Sequence, residues 1–247
     1  RPDWLPDGFT EQKRALDFEN YSRTWVYEGK DVDLTVMPAA SKQEKAAILR
    51  SLYERSQDPV DLGAQGTAKY LDSPEPTAAT LVWSTGGDLL TLGVSGLPDA
   101  RAVVRQIAES MRSDGQGVQR VVLRLATEYP EERSAGNWTD RTWTGSSPTE
   151  WTIAVAVAQS SRFTVVRLTP TSPDTAGGQP VRARGVDATF VSGMLVVPVG
   201  DYFLTIGGYP LDLRGMRLTE LTLEQMIAIV DTTEIAEDPD LGWFGSR

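Results

Sequence analysis

Two stretches of this chain repeat one another in order. An internal repeat constrains a fold more tightly than any local pattern, because one supersecondary unit must then be built twice. Residues 86–93 read Gly-Gly-Asp-Leu-Leu-Thr-Leu-Gly and residues 200–207 read Gly-Asp-Tyr-Phe-Leu-Thr-Ile-Gly, each a turn running into a half-buried strand. Short apolar strands precede both, Leu81-Val82-Trp83 in the first and Leu195-Val196-Val197 in the second. Further upstream residues 63–68 align with residues 185–190. Downstream each copy closes in an amphipathic helix, with Val103, Val104, Ile107, Ala108 and Met111 on one face of the first and Met226, Ile227, Ile229 and Val230 in the second.

Hairpins open both copies. Trp25-Val26-Tyr27 turns through residues 28–31 into Val32-Asp33-Leu34-Thr35-Val36, and residues 151–157 turn through 159–162 into 163–168. Pro38 and Pro170 stop the second strand of each pair. One insertion separates the copies: residues 41–57 predict a helix, with Ser41 and Glu44 at capping-box spacing, whereas residues 169–180 are a loop rich in Pro, Gly and Thr. The second terminal helix has its own box, Thr222 with Gln225. Between the copies, residues 117–126 are apolar and β-branched enough for a strand, and residues 128–147 read as a polar loop. These patterns predict an α+β chain of two tandem diverged repeats, residues 1–130 and 131–247, each an antiparallel sheet covered by a C-terminal helix.

Composition narrows the chemistry. The chain has no histidine and no cysteine, so thiol nucleophiles, thiolate metal sites and Ser-His-Asp triads are excluded. With 24 Lys and Arg against 34 Asp and Glu, the formal charge of −10 repels phosphate-rich partners, and nucleic acid is not an expected ligand. Arg101, Arg105, Arg112, Arg120 and Arg124 recur around one helix and the strand after it, a pattern that a solvated face explains better than an anion site. No apolar run has the roughly 18–20 residues needed to cross a bilayer as a helix. The start at Arg1 is read as that of a trimmed piece, so that any membrane association would come through an anchor outside this chain.

Residues 81–85, 86–92 and 107–111, which combine a Trp-bearing strand, a Gly-Gly turn and the helical run Ile-Ala-Glu-Ser-Met, carry a resemblance. They resemble the extracytoplasmic domains of actinobacterial membrane-anchored proteins of the anti-sigma-factor ectodomain type. More distantly the layout is similar to lipoprotein-carrier and RseB-like half-barrels. The resemblance implies an extracytoplasmic module at the outer face of the cytoplasmic membrane, or secreted, with a protein or cell-envelope component as partner. It implies no catalytic residue and no cofactor.

Among individual residues, Trp138, Trp143 and Trp151 stand out, since aromatics flanked by polar groups suit stacking on a partner; the bland alternative is that they plug the junction between the copies. Glu128, Glu131 and Glu132, and Glu234, Glu237, Asp238 and Asp240, lack the spacing of a dedicated calcium loop and read as solvated surface. Trp243 and Phe244, beyond the last helix, are expected to dock back on the sheet, the alternative being a sticky peptide for a partner. The expected function is non-enzymatic binding or sensing by a membrane-anchored regulatory protein. Carriage of a lipid or other apolar ligand between sheet and helix is the alternative, and a hydrolase using two facing carboxylates is a third.

Overall fold

Antiparallel pairing dominates the computed structural model, which describes all residues except 18–19, 41–43, 57, 72, 74, 113–121, 127–136, 160–161, 208–220, 237–240, 242 and 246–247. Among the described residues the chain is α+β, mostly sheet, with three α-helices. It divides into two compact units, Arg1–Gln119 with Trp243–Arg247, and Arg120–Gly242.

In the first unit the elements run β1 (Thr10–Asp17), β2 (Asn20–Tyr27), β3 (Lys30–Pro38), α1 (Glu44–Arg55), β4 (Pro59–Asp61), β5 (Thr67–Leu71), β6 (Ala79–Thr85), β7 (Asp88–Ser95) and α2 (Ala100–Glu109). Glu28 and Gly29, both at positive φ (49° and 75°), form the two-residue turn whose twist suits the β2–β3 hairpin. The strands hydrogen-bond in the order β1-β2-β3-β7-β6-β5-β4. A three-strand meander is thus followed by four strands that return so that β7 pairs with β3, Leu34 opposite Leu92.

Period-two alternation sends neighbouring residues to opposite faces. Leu81 and Trp83 of β6 join Trp25, Val32, Leu34, Leu92 and Val94 and the α2 residues Val104, Ile107 and Ala108 in one buried cluster. Val82, between them, turns the other way and packs with Met37, Leu89 and Ala46 of α1. The helical insertion therefore lies on the reverse face of the sheet from α2.

The second unit runs β8 (Leu123–Arg124), β9 (Asn137–Ser147), β10 (Glu150–Gln159), β11 (Arg162–Thr169), β12 (Gln179–Ala183), β13 (Val186–Val191), β14 (Met194–Val199), β15 (Tyr202–Gly207), α3 (Leu223–Thr232) and β16 (Glu234–Ile235). Its main strands follow the order β9-β10-β11-β15-β14-β13-β12, and β16 pairs separately with β8. Strand for strand this is the order of the first unit, with β11 returning to β15 and Leu168 opposite Leu204. Helix α3 starts at the predicted capping box: Thr222 Oγ1 accepts from the Gln225 N–H, and Gln225 Oε1 accepts from the Thr222 N–H. It buries Met226 and Val230 and lies against β12, β14 and β15.

The structure corrects the expected connector. Asn137–Ser147 is a strand rather than part of a polar loop, and its register with β10 sets Trp143 opposite Ile153. Of the strand expected over 117–126, only Leu123–Arg124 pairs among the described residues. The first unit likewise begins with a strand, β1, before its predicted hairpin. Among the described residues no helix is long and apolar enough to cross a membrane.

Candidate functional site

The alternation of β9 and β10 decides where the candidate tryptophans go. Trp143 and Trp151 are 1% and 4% exposed, on the face of the hairpin that also buries Ile153 and Val155. The Trp151 indole N–H donates to the Pro148 carbonyl at 3.1 Å, and its ring meets Tyr202 edge-on at 5.3 Å. In this conformation neither indole presents a face to a partner. Trp138 pairs through its backbone with Ala158, and its side chain lies outside the described residues. Of the acidic candidates, Glu128, Glu131, Glu132, Glu237, Asp238 and Asp240 also lie outside the described residues, while Glu234 begins β16. Among the described residues no three His, Cys, Asp or Glu side chains gather as metal ligands would.

A polar cluster that sequence reasoning missed sits on β1 and β2. Glu11, Arg14 and Arg23 are 1%, 4% and 5% exposed. Arg14 donates through Nε to Glu11 Oε1 (2.7 Å) and through Nη2 to Oε2 (3.0 Å), and Arg23 makes the same fork at 2.6 and 2.5 Å. Four charge-assisted bonds occupy the lone-pair sites of one carboxylate, leaving none for a substrate proton. The Arg23 guanidinium lies 5.1 Å from the Trp25 ring centre and that of Arg14 lies 4.3 Å from the ring centre of Trp243. Glu11 and Arg14 are three residues apart in a strand, a spacing with no sequence signature for burial.

The exposed counterpart is a tyrosine–arginine surface where α2 meets β5. Tyr70 lies on the α2 face of β5, with its hydroxyl donating to the Arg101 carbonyl at 2.8 Å and the Arg101 guanidinium 4.0 Å over its ring. Arg101 is paired with Asp58, and Arg105 with Glu109 one helical turn on (2.7 Å). Burial pushes the Tyr70 phenol up, and the Arg101 charge opposes that shift. The hydrogen bond that Arg101 donates to Asp58 raises the pKa of its guanidinium, and the bond that Arg105 donates to Glu109 raises that of Arg105. On the other face of β5 the Lys69 ammonium lies 4.7 Å over Tyr53 of α1. Arg112 faces Asp3 at 3.4 Å, while Arg120 lies outside the described residues and Arg124 belongs to β8. What the arrangement offers is an ordered, half-exposed Tyr–Arg pair, the residue types that dominate binding hot spots.

A pair of carboxylates, Asp31 and Asp33, lies on β3. Ser95 Oγ donates to Asp31 Oδ1 at 2.5 Å and Thr24 Oγ1 to Asp33 Oδ1 at 2.6 Å. Desolvation pushes the Asp33 carboxyl above its ordinary range, Asp31 adds to this, and the Thr24 bond and Lys13 work against it.

No family model matches this chain, and no curated protein does. Among solved structures, one described as the crystal structure of MucB in complex with MucA(peri) aligns over 93% of this chain and 94% of that one, at 9% identity and a TM-score of 0.26, a likeness too low to carry any inference.

Proposed function

We propose that this chain is a non-enzymatic extracytoplasmic binding module of a membrane-anchored regulatory protein, built from two diverged copies of one sheet-plus-helix unit and acting through protein contacts. The observation that carries the reading is the identical order of the seven main strands in the two units, each with a helix after the seventh. A crossover in which the seventh strand returns to the third is not what simple hairpin succession produces, and its appearance twice favours duplication of a scaffold. The Tyr70–Arg101 pair supplies the contact: it is pre-ordered by its own hydrogen bond and ion pair, so little side-chain freedom is lost on docking. The run Ile107–Met111, part of the stretch that resembles anti-sigma-factor ectodomains, belongs to the helix region that presents Arg101. The contiguous packing of α2 against the sheet favours protein contact over carriage of an apolar ligand in that space.

The test is site-specific photo-crosslinking in cells producing the full-length protein. A photoreactive residue at Arg105 is expected to give a discrete protein adduct that disappears when Tyr70→Ala and Arg101→Ala are added. The same probe at Asp187, on the second unit, serves as control. Equal adducts at both positions, or adducts indifferent to Tyr70 and Arg101, would contradict the proposal.

A further inference from the structure

The C-terminal segment belongs to the first unit and occupies a site there. Trp243 and Phe244 are 6% and 2% exposed, with ring centres 3.9 Å apart. Arg14 holds its guanidinium over the Trp243 ring, and the Gly245 N–H donates to the Glu11 carbonyl at 2.9 Å. Gly245 takes a φ of 73°, a conformation glycine adopts without the strain other residues meet. The segment therefore meets two demands of β1, a cation that a Trp face attracts best and a backbone carbonyl needing a donor, with the Phe244 ring packed beside Trp243. The fit is incomplete at one point. Among the described residues the buried indole N–H of Trp243 has no acceptor.

We infer that β1 around Arg14 is an acceptor for an aromatic segment, filled in this chain by its own Trp243-Phe244-Gly245, and that a partner segment of the same chemistry, two adjacent aromatics followed by glycine, docks by displacing it. The unsatisfied indole donor marks where a competitor does better: a segment whose own indole N–H meets an acceptor within that segment keeps every contact and adds one. A covalently attached segment acts at an effective concentration on the order of millimolar, so a free peptide enters only where the internal contact is weakened. This acceptor is separate from the Tyr70–Arg101 surface, and its test does not depend on that surface.

The experiment is fluorescence anisotropy with a labelled synthetic peptide of residues 238–247 and the full chain. The double variant Trp243→Ala/Phe244→Ala is expected to bind the peptide at least tenfold more tightly than the unaltered chain, whose site is occupied. A peptide carrying Trp243→Leu is expected to bind the double variant at least tenfold more weakly than the native peptide. Equal binding of the two peptides, or no binding to a double variant whose circular dichroism and melting match the parent, overturns the proposal. Should the double variant not fold, amide exchange in the unaltered chain decides: a protected Gly245 N–H supports internal docking, and exchange at the rate of unstructured chain overturns it.

Discussion

Glu11 is the residue on which the interior of the first unit is most exposed to single-atom chemistry. Its single negative charge is shared between two buried guanidiniums, and removing one partner from such a buried set is far costlier than replacing the whole set by apolar groups. Glu11→Ala is therefore expected to lower stability by about 3–5 kcal/mol in denaturant unfolding, whereas a loss below about 1 kcal/mol would mean that the two arginines find water or other partners. Asp33 makes a pH prediction. Because the folded carboxyl holds its proton more tightly than the unfolded chain does, this group favours folding below the ordinary aspartate pKa, and the contribution is lost as pH rises through the raised folded value. Asp31→Asn removes the neighbouring charge and is expected to move the Asp33 titration downward in carbon-detected NMR. An unchanged Asp33 midpoint would show that Asp31 plays no part in the shift.

At the level of single elements, the strands that the sequence concealed are β1 and β9, the first of each unit's main strands, and for related reasons. The reading of strands rests on alternating apolar residues, and β1 (Thr-Glu-Gln-Lys-Arg-Ala-Leu-Asp) buries Glu11 and Arg14 where that pattern calls for hydrophobic side chains. Strand β9 likewise buries Thr139, and its Gly-Ser-Ser end resembles a turn. Paired polar groups fold into a sheet without leaving a periodic trace. By contrast the Glu28-Gly29 turn, the Thr222 capping box and the hairpins of β6–β7 and β14–β15 rest on local chemistry and were legible. The match of residues 63–68 with 185–190 was legible only in part: Gly66 and Gly185 are the residues that lead into β5 and β13, both at positive φ, so the strands correspond three residues away from the alignment of Gly63 with Gly185. The hairpin tips ending in those glycines share a task. Gln65 donates to the Met111 carbonyl just past α2, and Arg184 donates to the carbonyls of Val230 and Thr233 at the end of α3, where a cation also favours the helix dipole. Arg184→Ala is expected to cost about 1–3 kcal/mol and to speed amide exchange in the last turn of α3. Unaltered exchange there would show that the turn does not hold the helix.

For the whole chain, what the sequence withheld is the crossover. Hairpins join neighbours in sequence, and nothing local tells β7 to pair with β3 rather than to stand at an edge; that choice follows from which faces must be buried together. Period-two burial in β3, β6 and β7 makes the arrangement selective, since a one-residue slip would carry Leu34, Leu81 and Leu92 away from α2. The candidate site was less visible than the fold. Trp143 and Trp151 stood out by residue type, but type does not distinguish an interface aromatic from a core one, and the half-buried Tyr70 belongs to a short strand with no motif. Cross-strand nuclear Overhauser contacts test the duplicated scaffold most directly. The structure predicts contacts between β3 and β7 around Leu34 and Leu92, and between β11 and β15 around Leu168 and Leu204. Contacts joining β11 to β12 instead, as in a plain succession of hairpins, would contradict it.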